Sequence, residues 1–172
     1  VGKKAKGLMG QDNSVHTTRQ PLFIAIGGMV GSGKTTLAEA LLPHLPNAHL
    51  IDADMERKRL HGVAPTAKLP EDAYSHENTL LFITHMLGVQ QQALLHHDLV
   101  ISTGTWLSPR ARENIQSEIC AETKAEFIGL WLDASYMTLF NRISHRAQGP
   151  SVSDADVGVL KKLASLPVNA PE

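Results

Sequence analysis

From Pro21 onward, short apolar runs alternate with longer stretches whose apolar residues recur every three or four positions. The run Leu22 to Ile26, closed by Gly27 and Gly28, is too short for a helix and lacks in/out alternation, which predicts a strand buried on both faces. Leu37, Ala38, Leu41, Leu42 and Leu45 fall at helical spacing and predict a helix from Thr35 to Leu45, with Pro43 near its end. Ala48 to Ile51 predicts a second strand. Gly62, Pro65 and Pro70 mark His61 to Ala73 as a long loop able to arch over a site. Ser75 can cap a helix from His76 to Leu95, with Leu80, Ile83, Leu87 and Leu94 on its core face. Leu99 to Ser102 predicts a third strand, Ser108-Pro109 the start of a helix reaching Glu122, and Phe127 to Leu132 a fourth strand. Two more helices are expected, from Ser135 to Arg146 and from Ser153 or Asp154 to Ser165.

Strands alternating with helices imply an α/β fold, a parallel sheet with helices on both faces. Residues 1–20 are rich in Lys, Gly and polar types without apolar periodicity, so they predict a mobile arm or linker ahead of one domain over residues 21–172. The chain opens on Val1 rather than Met, as a fragment or a processed form would.

Composition narrows the classes. At 42% hydrophobic and 19% charged residues, the chain has the composition of a folded globular protein. A formal net charge of −1 gives no overall cationic field for duplex nucleic acid or anionic membrane. No stretch approaches the roughly 18 consecutive apolar residues of a membrane span. Cys120 is the single cysteine, which fits a reducing compartment, and a cytoplasmic location is expected.

The chemistry concentrates after the first strand. Gly28, Gly33, Lys34 and Thr35 match G-x-x-x-x-G-K-[ST], the phosphate-binding P-loop, between a predicted strand and a predicted helix. Glycines there let backbone N–H groups converge on phosphate oxygens, and the helix dipole adds to the attraction. The expected nucleotide-binding set is Gly28, Gly31, Ser32, Gly33, Lys34, Thr35 and Thr36, holding ATP with Mg²⁺. Lys34 faces the β and γ phosphates, and Thr35 and Asp52 are the candidate metal ligands. The fold expected is the P-loop NTPase three-layer sandwich, with four or five parallel strands. A second cluster follows strand two, where Asp52 and Asp54 emerge at the carboxyl end of the sheet, the ligand crevice of open α/β folds. Asp54 and Arg57, three apart on a helix, have the carboxylate and the cation that phosphoryl transfer to a hydroxyl requires. A surface helix with local ion pairs is the other reading of that segment.

The stretch Ile-Gly-Gly-Met-Val-Gly-Ser-Gly-Lys-Thr-Thr, followed by Asp-Met-Glu-Arg-Lys-Arg-Leu-His-Gly-Val-Ala-Pro and Tyr74-Ser75, resembles the P-loop kinase-like domains labelled AAA-type ATP-binding domains. These occur alone or behind an aminoglycoside-phosphotransferase-like domain. More distantly the chain is similar to polynucleotide 5′-hydroxyl kinases, zeta-toxin kinases and gluconate kinases. The resemblance spans about Pro21 to Leu166. It implies Asp54 as general base, Arg57 as substrate clamp, and Arg142 and Arg146 as arginines of a helical lid. It also implies an acceptor that is a small molecule or a nucleotide end, and a phosphotransferase-like partner domain. Many relatives end strand three with Val-Asp-Ala-Thr-Phe, whereas this chain has Ser102-Thr103-Gly104-Thr105-Trp106, so Thr103 stands where they carry a carboxylate.

Two functions are therefore expected in competition: a phosphotransferase, and a nucleotide-binding regulatory module without transfer chemistry, which Thr103 favours. Tyr74 and Trp106, in loops near the carboxyl edge, could stack on an acceptor or pack in the core. His96, His97 and Asp98 fall at a helix end without a metal-ligand spacing.

Overall fold

The computed structural model of this chain describes residues 20–149 and 151–166. The predicted arm lies outside the described residues except for Gln20, as do residues 167–172 of the predicted domain.

In chain order the elements are β1 (Leu22–Gly28), α1 (Lys34–Leu41), β2 (Ala48–Asp52), α2 (Ala53–Leu60), α3 (His76–His96), β3 (Leu99–Thr103), α4 (Pro109–Thr123), β4 (Glu126–Leu132), α5 (Tyr136–Arg146) and α6 (Val157–Ala164). The strands form one parallel sheet in the order β2-β3-β1-β4. β1 lies inside the sheet, and every residue from Phe23 to Gly28 is buried, as its unbroken apolar run demands.

Alternate side chains of the central strands feed two cores. Phe23, Ala25 and Val100 pack against Phe82, Met86, Ala93 and Leu94 of α3 and Ile115 and Ile119 of α4. Ile24, Ile26 and Ile101 face the other way, onto Ala38 with Leu37 and Leu41 of α1. Each fully buried Val, Leu, Ile, Phe or Met among these contributes about 1.5–3 kcal/mol. A smaller cluster of Val30, Leu139, Ile143 and Leu160 fastens α5 and α6 to the loop after β1. The result is the α/β three-layer arrangement, with helices on both faces of four strands among the described residues.

Three expectations need correction. The core face of α3 consists of Phe82, Met86, Gln90, Ala93 and Leu94, while Leu80 and Ile83 are 52% and 50% exposed. The larger Phe82 and Met86 win the interior, and polar Gln90 joins them because its amide donates to Ser102 Oγ at 2.8 Å. α1 stops at Leu41, and Leu42–His44 tighten into a 3-10 turn around Pro43, which has no N–H to continue the ladder. α6 begins at Val157 and not at Ser153 or Asp154. Asp156 caps it by accepting from the Val159 N–H, and Asp154 is engaged elsewhere. β4 is an edge strand among the described residues, which leaves Ile128 and Leu130 39% and 37% exposed.

Side-chain caps set several helix starts: Ser75 accepts from Asn78 N–H, Ser108 from Ala111 N–H and Ser135 from Thr138 N–H, each worth about 1 kcal/mol. No helix of the described residues is long and apolar enough to cross a membrane. The register places Asp52 opposite Thr103, and Thr103 opposite Ile26, so β2, β3 and β1 end together at one edge.

Candidate active site

At that edge β1 runs into the phosphate loop. Gly28 and Gly31 have φ of 143° and 78°, which a side chain rarely tolerates. Space is as restrictive as conformation. A Cβ on Gly28 would stand 2.5 Å from the Leu132 carbonyl oxygen, and one on Gly31 would stand 2.9 Å from Ile143. The loop is closed over by Lys34, whose Nζ donates to the carbonyls of Gly28 at 3.0 Å and Met29 at 2.9 Å. Burial lowers the Lys34 pKa to about 8, against the pull of Asp54 and Asp52 and with a smaller push from Arg146. Ser32 Oγ is buried within the loop without a hydrogen-bond partner. A glycine cradle, an orphaned hydroxyl and a lysine held only by neutral carbonyls fit a phosphate chain. Thr36, also in the expected set, is exposed at the start of α1.

Asp52 is the hub beside the loop. Its Oδ1 caps α2, accepting from the N–H groups of Asp54 at 3.0 Å and Met55 at 3.1 Å. Its Oδ2 accepts from Thr35 Oγ1 at 2.7 Å and Thr103 Oγ1 at 2.8 Å. Thr103 thus supplies a donor to the Asp52 carboxylate. Oxygen donors of Thr35 and Asp52 gathered beside the loop have the chemistry Mg²⁺ selects.

Asp54 and Arg57 lie on α2 as the spacing predicts but form no ion pair with each other. Burial raises the Asp54 pKa, offset by a hydrogen bond from Ser153, with Asp52 and Asp154 adding repulsion and Lys34 attraction. Arg57 reaches from α2 to the segment that follows it. Its guanidinium donates to the Ala73 carbonyl at 3.0 Å and lies 3.8 Å from the centre of the Phe82 ring and 5.0 Å from that of Tyr74. Tyr74 is therefore part of the site's wall. Trp106 packs instead, its ring against Gly27 and Gly104 and onto the α3–α4 core.

Arg142 and Arg146, the two arginines expected in a lid, take different positions. Arg142 lies against the phosphate loop, donating to the carbonyls of Ser32 at 2.9 Å and Gly31 at 3.4 Å. Arg146, one turn on, donates to the Ala155 carbonyl at 2.7 Å and is near enough to Lys34 to affect its titration.

Lys58 and Asp154 escaped the sequence reading. The Lys58 side chain is 2% exposed, and its Nζ meets Asp154 Oδ1 at 2.9 Å. Asp154 Oδ2 accepts from Leu69 N–H at 3.0 Å and Tyr74 OH at 3.1 Å. In the sequence Lys58 is the middle of a basic run that looks like solvated surface. The one available signal was the clustering of Ser153 and Asp154 in a segment too polar to be core.

Comparisons with known proteins agree with this fold. A search of curated proteins by sequence returns no match. Among solved structures, a chain of the Pnkp1/Rnl/Hen1 RNA repair complex superposes with a TM-score of 0.67 at 17% identity, covering 88% of this chain and 45% of its own. This chain therefore spans less than half the length of that protein. A gluconokinase from Sinorhizobium meliloti 1021 gives 0.52 at 17% identity, covering 84% of this chain and 73% of its own. The shikimate kinase of Acinetobacter baumannii, solved with shikimate, gives 0.55 at 20% identity, covering 86% and 76%. At these identities the likeness is one of fold, the P-loop NTPase sandwich. The sequence profile of the AAA domain family matches residues 23–166, nearly all of the described chain, and the protein belongs to that family.

Proposed function

We propose that this protein transfers the γ-phosphoryl group of ATP to a hydroxyl of a small molecule or a nucleotide end. The observation that carries the reading is Asp54: a half-buried carboxyl whose N–H is held by Asp52, two residues before it, whose pKa is raised chiefly by desolvation, and which lies within electrostatic reach of Lys34. A group so placed can take the proton of an acceptor hydroxyl as it attacks.

In this reading Lys34 leaves the carbonyls of Gly28 and Met29 to meet the phosphates, and the free Ser32 hydroxyl and loop N–H groups complete the cradle. Thr35 and Asp52 hold Mg²⁺, which when bound neutralises phosphate charge. Arg57 fixes the acceptor, and Arg146 adds positive charge beside Lys34. Arg142 holds the loop in shape. The bond from the γ phosphorus to its bridging oxygen breaks, the bond to the acceptor oxygen forms, and Asp54 takes the acceptor's proton. Both the fold likeness to gluconokinase and shikimate kinase and the AAA domain membership support the reading. A cytoplasmic location would supply the ATP, and the likeness to a chain of a multi-protein repair complex supports a partner domain.

Thr103 favours a second reading, a nucleotide-binding regulatory module, because a hydroxyl replaces a carboxylate beside the metal position. The two separate by ADP formation from Mg·ATP in wild-type and Asp54→Asn protein, with gluconate, shikimate, aminoglycosides and a 5′-hydroxyl oligonucleotide as acceptors. Acceptor-stimulated turnover that disappears in Asp54→Asn supports transfer. Nucleotide binding with no turnover across the panel supports the module.

A further inference from the structure

Both oxygens of Asp154 are used, and they are used in different directions. Oδ1 answers the buried ammonium of Lys58 at 2.9 Å. Oδ2 accepts from the Leu69 N–H and the Tyr74 hydroxyl, both from the segment that follows α2. The Tyr74 ring lies 5.0 Å from the Arg57 guanidinium, and Arg57 returns a hydrogen bond to Ala73, the residue before Tyr74. On its other side Asp154 is joined through the chain to Ala155, whose carbonyl accepts from Arg146 at 2.7 Å.

A continuous series of contacts therefore runs from the phosphate-loop side to the acceptor side: Arg146, Ala155, Asp154, Tyr74, Arg57. Stability alone is a poor account of it, because a buried ion pair rarely outperforms apolar packing of the same volume. Charged pairs do fix geometry, and this one fixes the segment between α5 and α6 against α2 and the loop after it.

We propose that Asp154 is a positioning residue that couples the two halves of the site, setting the Arg57 guanidinium through Tyr74 and linking it through Ala155 to Arg146. Nucleotide binding at the phosphate loop then changes the environment of Arg57 without touching it. The proposal rests on the reading of the phosphate loop and of Arg57 given above for the identity of the two halves.

The test uses the full chain, ¹⁵N-labelled, with the non-hydrolysable analogue adenylyl-imidodiphosphate and Mg²⁺ as the probe. The side-chain Nε–H resonance of Arg57, assigned by its disappearance in Arg57→Lys, is followed through the titration. In wild-type protein it shifts with the same saturation curve as the phosphate-loop amides. In Asp154→Asn and in Tyr74→Phe the shift falls at least about threefold, while affinity for the analogue changes less than about twofold. Tyr74→Phe keeps the ring, the Lys58 ion pair and the Leu69 hydrogen bond, so it reports coupling even if Asp154→Asn fails to fold. A shift that survives Tyr74→Phe at full size would mean that the phosphates act directly on Arg57, and would overturn the proposal. An Arg57 resonance that stays still in wild-type while the loop amides shift would overturn the coupling and leave the phosphotransferase reading intact. Failure of the analogue to bind at all would overturn both.

Discussion

The hydroxyl of Thr103 donates to Oδ2 of Asp52 across adjacent parallel strands at 2.8 Å, sharing that oxygen with Thr35. Thr103→Ala should cost about 0.5–1.5 kcal/mol, one hydrogen bond, and weaken Mg-nucleotide binding by a corresponding twofold to tenfold. Thr103→Asp should behave differently. It sets a second carboxylate against Asp52, so without metal it should lower the melting temperature, and added Mg²⁺ should restore it. Melting curves of the three proteins with and without Mg²⁺ check both statements; indifference of the Asp variant to Mg²⁺ would place the metal elsewhere.

Asp54→Asn preserves shape and removes the base. Transfer to a competent acceptor should fall by roughly 10²–10⁴-fold, with nucleotide affinity kept or improved because a negative charge near the phosphates is gone. Calorimetric titration with the non-hydrolysable analogue, alongside the turnover assay, separates the two effects.

Lys34 gives the pH dependence. Its folded pKa is about 8, below the ordinary lysine value of 10.5, so between these values the unfolded chain holds the proton that the folded chain has released. The cost of burying the ammonium is therefore present in full below pH 8 and is relieved as pH rises toward 10.5. Stability of the nucleotide-free protein relative to Lys34→Met should rise over that window. Affinity for Mg-nucleotide should move oppositely, weakening above pH 8 as the free lysine loses its charge. Melts and titrations at matched ionic strength measure both slopes, and parallel slopes would contradict the assignment of Lys34 to the phosphates.

Gly31→Ala should destabilise the protein by about 1–3 kcal/mol, since the new methyl meets Ile143 at 2.9 Å in a backbone conformation with φ of 78°. The same contact joins the loop to α5, so the variant should also lose part of the thermal protection that nucleotide gives. Equal protection of wild-type and variant would show that α5 does not support the loop.

Asp154→Ala strands the buried ammonium of Lys58 and should cost about 3–5 kcal/mol. Lys58→Met combined with Asp154→Leu should recover most of that loss while leaving Tyr74 without its acceptor. Urea denaturation of the single and double variants tests the difference.

How much of this was legible depended on whether a residue's role was local. The P-loop spacing, the four strands and the caps at Ser75 and Ser108 are properties of short segments, and the sequence reading places them within a few residues of the structure. Which stripe of α3 faces the core is a long-range matter. It was settled by Phe82, Met86 and the Gln90–Ser102 hydrogen bond, none of which apolar periodicity alone can weigh. The same holds at the site. The placement of Asp54 and Arg57 on the helix after strand two could be read from the sequence, but Lys58 and Asp154 are 96 positions apart and carry no local mark of their pairing. Even Thr103, legible as a departure, did not announce that its hydroxyl would bind Asp52.

The Gln90–Ser102 contact has a mechanical consequence. Gln90 is 1% and Ser102 0% exposed, and a slide of α3 by one turn, about 5.4 Å, would strip both of their shared hydrogen bond in a dry interior. The helix is thus pinned to the sheet in its C-terminal half, and the lost bond opposes travel along it. Phe82, the platform under Arg57, belongs to that pinned helix. Closure around a substrate is then expected to come from pieces swinging toward a stationary post, a hinge motion and not a shear between packed layers.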